Sequence, residues 1–213
     1  GMSNGGFMSF LLACQSSDKF AAIASVTGSM TPQTYNACNP LHPTPVLQIH
    51  GDADATVPYN GDPLWTKSID DVLQYWVNHN NCNNTPSVTN FPDINTADGS
   101  TVKHHIYDGG YNGTTTEHFM VLGGDHDWPG AWGNMDINAS IEIWKFFSKY
   151  DINGLITDTD NLKSKPTFEI YPNPSNSYIT IESNFSSNIQ YKIFSQLGKL
   201  VKSGIINSST HHI

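Results

Sequence analysis

Gly1-Met2-Ser3-Asn4-Gly5-Gly6, the first six residues, spell the pattern G-x-S-x-G and run directly into the apolar stretch Phe7 to Cys14. A serine between glycines suits a sharp turn from strand to helix, because the flanking residues must lack bulk where backbone packs on backbone. Such a turn holds the Ser3 hydroxyl exposed. The residue after it, Asn4, then offers its backbone N–H to an oxyanion, at the positive end of the following helix. The surroundings fit this reading: Phe7, Met8, Phe10, Leu11, Leu12 and Cys14 give a broad helical apolar face, and Phe20 to Thr27 reads as a buried strand ending near Gly28. A turn of this kind follows a strand, so a sequence opening at Gly1 reads as a fragment, with the nucleophile strand, earlier strands and a second oxyanion donor expected upstream.

Downstream, elements alternate. Pro45 to Gly51 (PVLQIHG) is an apolar run stopped by glycine and reads as a buried parallel strand, with Asp52 and Asp54 just past its end. From Asp62 to Asn78, Leu64, Ile69, Val72, Leu73, Trp76 and Val77 recur at helical spacing and predict a core-facing helix. Strand-like runs follow at Val88 to Phe91, Thr101 to Tyr107 and Glu117 to Leu122. The turn-rich segment Gly123-Gly124-Asp125-His126-Asp127-Trp128-Pro129-Gly130 comes next, then a helix over Asp136 to Tyr150 with Ile137, Ile141, Trp144 and Phe147 along one face. Alternating strand and helix over this length predicts an α/β domain on a parallel sheet. Residues 151–165 lose the apolar periodicity and read as a linker. From residue 166 onward, Phe168 to Tyr171, Tyr178 to Ile181 and Gln190 to Phe194 are short alternating strands, joined by Pro172-Asn173-Pro174 and Leu197-Gly198-Lys199, and predict a small all-β unit.

Composition narrows the function classes. The chain has 213 residues, 38% of them apolar, enough for a mid-sized core plus a small domain. Ten Lys and Arg against nineteen Asp and Glu give a formal charge of −9, which leaves no basic patch for phosphates and argues against nucleic acid as a partner. No apolar run approaches the ~18 residues of a membrane span. The three cysteines, Cys14, Cys38 and Cys82, lack C-x-x-C spacing, so no zinc site or other cofactor is expected. Cys14 on the apolar helix face reads as a buried thiol, whereas Cys38 and Cys82, both in polar loops, could pair in an oxidising compartment.

A serine nucleophile needs a general base within hydrogen-bond reach and a carboxylate that orients the base. In proteins built on such an elbow these follow in the order serine, acid, histidine, on loops after later strands. His42 and His50 precede or abut the acid loop, His79 follows a helix, His104, His105 and His118 lie within strands, and His211 and His212 belong to the tail. His126 alone lies on a glycine-rich loop after a strand and downstream of the acids. Asp52 and Asp54 compete for the acid role on spacing. Asp125 and Asp127 could instead form a metal site with His126, but adjacent positions do not readily face one ion.

The opening Gly1-Met2-Ser3-Asn4-Gly5-Gly6, together with His50-Gly51-Asp52-Ala53-Asp54-Ala55-Thr56-Val57-Pro58-Tyr59 and the Gly123 to Gly130 segment, resembles the polyhydroxybutyrate depolymerase and feruloyl esterase family of α/β-hydrolases. The resemblance covers residues 1–150, the latter part of that family's catalytic domain. It implies Ser3 as nucleophile, Asp54 as triad acid, His126 as base, Asn4 in the oxyanion hole and Trp128 at the substrate. The implied activity is hydrolysis of feruloyl or acetyl esters on plant polysaccharides, or of polyester, through an acyl-enzyme. Asp125 and Asp127 stand where the family commonly has Gly and Thr, adding negative charge on both sides of the histidine. The alternative is a non-catalytic carbohydrate-binding or adhesion protein on the same fold, with Trp128, Trp132 and Tyr111 stacking on sugars.

The tail has its own resemblance. Tyr171-Pro172-Asn173-Pro174, Ile179-Thr180-Ile181 and Ile193 to Val201 are similar to the C-terminal sorting domain of the type IX secretion system, without that domain's usual closing strand after Ile213. The resemblance implies contact with that machinery over residues 166–213, and export to the cell surface or beyond.

Overall fold

The computed structural model describes residues 1–156, 168–171, 175, 177–183, 189–195, 198–206 and 210–212. The chain divides into two units, 1–156 and 157–213.

In the first unit the serine turn leads straight into α1 (Asn4–Gln15), where Gly6, Phe10, Ala13 and Cys14 are buried. After a one-turn 3-10 segment come β1 (Ile23–Val26), α2 (Pro32–Ala37), β2 (Val46–Gly51) and α3 (Ile69–Asn80). Strands β3 (Ser87–Asn90), β4 (Thr101–Tyr107) and β5 (Thr116–Leu122) follow, then α4 (Ala139–Phe147) and a small antiparallel pair, β6 (Tyr150–Asp151) with β7 (Gly154–Leu155). The five main strands form one sheet in the order β1-β2-β5-β4-β3. β1, β2 and β5 run parallel, whereas β4 is antiparallel to β5 and β3 to β4. The sheet is therefore mixed, not parallel throughout as the alternation predicts. Parallel neighbours require a crossover, and among the described residues only the single 3-10 turn Tyr111–Gly113 lies between β3, β4 and β5, too short to cross the sheet, so these strands reverse direction at each turn.

Both faces of the parallel part are covered. Phe10, Ala13 and Cys14 of α1 and Val72 and Trp76 of α3 pack with Ile23 and Val46 on one face. Ala24, Val26, Leu47, Ile49, Phe119 and Val121 pack with Ala139, Phe146 and Tyr150 on the other. Odd and even positions of one strand thus serve two cores, which is why the strands read as continuous apolar runs.

Several local expectations shift. β1 is shorter than Phe20 to Thr27. The segment 29–45, read as loop, holds α2, capped by Thr31 Oγ1, which accepts the Thr34 N–H at 3.0 Å. α3 starts seven residues later than predicted because Asp62 accepts the Leu64 N–H and pairs with Thr66 in a turn, and the cap is supplied by Ser68, whose Oγ accepts from Asp71 N–H. Leu64 is accordingly exposed. α4 is capped by Asn138, which accepts from Ile141 N–H, and turns Ala139, Ile143, Phe146 and Phe147 inward. Ile141 and Trp144, expected on the core face, lie exposed.

Cys14 and Cys38 form a disulfide and Cys82 is a free buried thiol, so the reading of Cys14 as a buried thiol is corrected, and Cys38 pairs with Cys14 where its polar loop had left Cys82 open as a partner. The apolar face of α1 shows in sequence, but that α2 brings Cys38 against it does not.

In the second unit, β8 (Phe168–Tyr171) pairs antiparallel with β9 (Thr180–Ser183), and β9 with β12 (Thr210–His212). A separate antiparallel pair joins β10 (Ile189–Phe194) and β11 (Leu200–Ile206), with a register shift between Ile193 and Phe194. All regular elements among the described residues here are strands. Of the expected linker 151–165, residues 151–156 carry the β6–β7 turn and belong to the first unit, and 157–165 lie outside the described residues. The expected turn at Pro172-Asn173-Pro174, and Leu197 of the later one, also lie outside them.

Candidate active site

Residues 1–3 extend the sheet beside β1: the Gly1 nitrogen donates to Ala24 O, Val26 N–H to Gly1 O and Ser3 N–H to Val26 O, the ladder of a parallel pair. Ser3 therefore sits past the carboxyl end of one parallel segment, Asp54 past that of β2 and His126 past that of β5. All three occupy the edge where open parallel sheets gather ligands.

The turn at Ser3 is a backbone outlier, φ 52° and ψ −120°, a conformation that costs an L residue roughly 1–3 kcal/mol and persists only when its surroundings hold it. They do. A Cβ on Gly1 would lie 2.7 Å from the Gly5 carbonyl carbon, and one on Gly28 would lie 2.6 Å from the Gly6 Cα and 2.8 Å from the Ser3 carbonyl oxygen. Gly5 itself faces open space, so only the first glycine of the pattern is demanded by close approach. Ser3 O accepts from the N–H groups of Gly6 and Phe7, and among the described residues the Asn4 N–H has no acceptor, which leaves a donor open at the N-terminus of α1. The Ser3 hydroxyl makes no hydrogen bond among the described residues.

The acid and histidine loops are laced together. Asp52 N–H donates to Val121 O at 3.0 Å, Ala53 N–H to Gly124 O at 3.0 Å and Gly123 N–H to Asp52 Oδ1 at 2.6 Å. Ala55 N–H donates to Asp125 Oδ1 at 3.1 Å. A Cβ on Gly51 would collide with the Gly124 carbonyl, so this contact requires glycine. Asp52 and Asp125 thus fasten one loop to the other, and Asp127 Oδ2 accepts from Asp125 N–H at 3.3 Å. Among the described residues neither flanking acid's carboxylate hydrogen-bonds the His126 ring.

Asp54 does. His126 Nδ1 lies 2.9 Å from Asp54 Oδ2, while Asp54 Oδ1 accepts the Thr56 and Val57 N–H groups, each at 2.8 Å. The buried carboxylate also lies 3.3 Å from His50 Nε2. Burial opposes its charge, but hydrogen bonds from His50, Val57 N–H and His126 outweigh that and bring the Asp54 carboxyl down to about 2. An ionised Asp54 holds the proton of His126 on Nδ1 and leaves Nε2 free to act as a base.

Beside Ser3 opens a cavity of about 380 Å³ lined by Ser3, Asn4, Phe7, Thr31, Thr56, Val57 and Trp65. Phe7 and Trp65 rings lie 6.1 Å apart. Trp128, expected at the substrate, does not line it: its ring packs against the core beneath α4, and its Nε1 donates to Ser140 Oγ at 3.2 Å. Trp65 and Phe7 line it although the sequence places Trp65 in a helix and Phe7 on an apolar core face, because Trp65 lies in the turn before α3 and Phe7 opens α1 beside Ser3. Among the described residues, no group of three or more His, Cys, Asp or Glu could hold a metal ion, and no helix is long and apolar enough to cross a membrane.

Residues 169–213 match the model of the secretion system C-terminal sorting domain. Over 61 residues, 29% of this chain, the sequence is 44% identical to a protein of Nocardia uniformis subsp. tsuyamanensis named "Putative esterase NocK", and the match spans 17% of that protein. The C-terminal segment is thus a type IX sorting domain, which directs the chain to the cell surface or the extracellular space.

Proposed function

We propose that the chain is an exported serine esterase, its first unit built as an α/β-hydrolase catalytic domain, in which Ser3 is the nucleophile, His126 the general base, Asp54 the acid that orients it and Asn4 N–H an oxyanion donor. The observation that carries this reading is the 2.9 Å bond between His126 Nδ1 and Asp54 Oδ2, on the same sheet edge as a strained serine turn. The likeness to an esterase-named protein supports the same chemistry.

In this reading Ser3 Oγ attacks the ester carbonyl as His126 Nε2 takes its proton, a contact that closes when substrate is bound. The tetrahedral oxyanion forms against Asn4 N–H at the end of α1. His126 then protonates the departing alcohol, and water, activated by the same ring, releases the acid and restores Ser3. The cavity edged by Phe7, Val57 and Trp65 suits the apolar part of an ester, such as a feruloyl group on a polysaccharide or a segment of polyhydroxyalkanoate.

A fluorophosphonate probe on the full-length protein tests the proposal. Labelling at Ser3, abolished in Ser3→Ala, is the expected result. An unlabelled Ser3 in folded protein overturns it and leaves a binding or adhesion role.

A further inference from the structure

The buried face of the sheet beneath α3 is polar at its centre. Gln48, His50 and His118 are almost wholly buried, in strands that otherwise read as apolar. His118 is engaged by Gln48 O at Nδ1 and by the Tyr59 hydroxyl at Nε2. Gln48 and His50 lead toward Asp54 instead. Gln48 Nε2 donates to Gly28 O at 2.8 Å and lies 2.9 Å from His50 Nδ1, and His50 Nε2 lies 2.9 Å from Val57 O and 3.3 Å from Asp54 Oδ2.

This arrangement determines the proton positions. The Gly28 carbonyl can only accept, so the amide nitrogen of Gln48 must face it, and the second amide hydrogen then points at His50 Nδ1. His50 Nδ1 is therefore an acceptor, and the ring hydrogen is on Nε2, which is hydrogen-bonded to Val57 O and has Asp54 Oδ2 3.3 Å away. Among the described residues Gln48 Oε1 is left buried without a partner. Leaving a buried acceptor unmade is costly, and the opposite amide orientation would set oxygen against oxygen at Gly28. Stability alone would favour apolar residues at these two positions.

We infer that Gln48 and His50 are positioning residues for the proposed catalytic acid: Gln48 sets the His50 tautomer, and the Nε2–H of His50 holds Asp54 Oδ2 toward His126. The inference rests on the Ser3-Asp54-His126 reading. It makes His50 a second histidine on the carboxylate, one that carries no proton to substrate. The polar path runs from Gly28, which packs against the serine turn, through Gln48 and His50 to Asp54 and His126, so the nucleophile turn and the acid loop are set by one network.

The test compares His50→Leu, His50→Gln and Gln48→Glu in the full-length protein. The His126 Nδ1–H proton, which resonates far downfield when bonded to a carboxylate, is followed by NMR beside steady-state hydrolysis of p-nitrophenyl acetate. His50→Leu is expected to move or broaden that resonance and to lower kcat about tenfold or more with KM unchanged, short of the ~10⁴-fold loss from removing a triad acid's charge. Gln48→Glu, nearly isosteric, should do the same by drawing the His50 proton to Nδ1. His50→Gln, whose amide can still donate to Asp54, should restore most of both signals. An unchanged resonance in folded His50→Leu overturns the inference whether or not the protein hydrolyses esters. Wild-type protein that shows the resonance but no Ser3-dependent turnover sinks the proposed function and leaves the positioning network standing.

Discussion

The two halves of the main sheet differ in burial and in what they carry. β1 and β2 are buried at every residue, whereas every residue of β3 is exposed. The parallel half lies between α1 and α3 on one face and α4 on the other, because helical crossovers return the chain over the sheet. Ser3, Asp54 and His126 all lie past the carboxyl ends of its strands. The antiparallel half widens the sheet and shields β5, and its outer strand ends in water. Rigidity and chemistry therefore coincide in one half, and tolerance to change belongs to the other.

The sharpest break between the halves should appear in turnover. With the full-length protein and an activated ester, Ser3→Ala is expected to lower kcat by roughly 10⁴-fold or more, and Asp54→Asn by about 10⁴-fold. Thr89→Ala in β3 should leave turnover unchanged. A comparable loss from Thr89→Ala would show that the outer strand shapes the site.

Stability should divide the same way. Trp76→Ala opens a large void between α3 and the parallel strands and is expected to cost about 3–5 kcal/mol by chemical denaturation, whereas Val88→Ala in β3 should stay within about 0.5 kcal/mol. Equal effects would dissolve the distinction. A smaller contribution comes from the disulfide that ties α1 to the end of α2. With its cysteines 24 positions apart, replacing Cys14 and Cys38 by alanine should cost about 3 kcal/mol, and replacing Cys82 should not reproduce that loss.

Acid should weaken the parallel half gradually. Burial lowers His118 to about 3, so the unfolded chain takes up a proton there that the folded chain refuses. The resulting stability is complete above about 6.5, the ordinary histidine value, and is lost as pH falls toward 3. Asp54, lowered to about 2, contributes stability that is present above about 4 and is lost as pH falls through its folded value. Each group adds a slope of at most about 1.4 kcal/mol per pH unit. His118→Gln should flatten the upper part of the acid limb, and Asp54→Asn the lower part. An acid limb identical in both variants would place the titrating groups elsewhere.

The sequence alone determined the local pieces. The serine turn, α1, β2, α3, β4 and β5 show as apolar periodicity bounded by glycine and polar loops, since a buried strand or an amphipathic helix writes its own period into the chain. The parallel and antiparallel pairings, the start of α3 and the rotation of α4 needed the structure, because capping by Ser68 and Asn138 decides which residues turn inward. So did every choice between neighbours of like chemistry. Spacing left Asp52 and Asp54 level and the family resemblance chose Asp54, whereas packing shows why: Asp52 binds the Gly123 backbone while Asp54 meets His126. His50 reads as misplaced in chain order, yet β2 sets it against the same carboxylate, and Cys14 reads as a buried thiol until α2 brings Cys38 to it. Apart from His50 and Asp54, four positions apart across the end of β2, these pairings join residues 24 to 72 positions apart, where periodicity carries no signal, so the distances that decide them exist only after the sheet has closed against its helices.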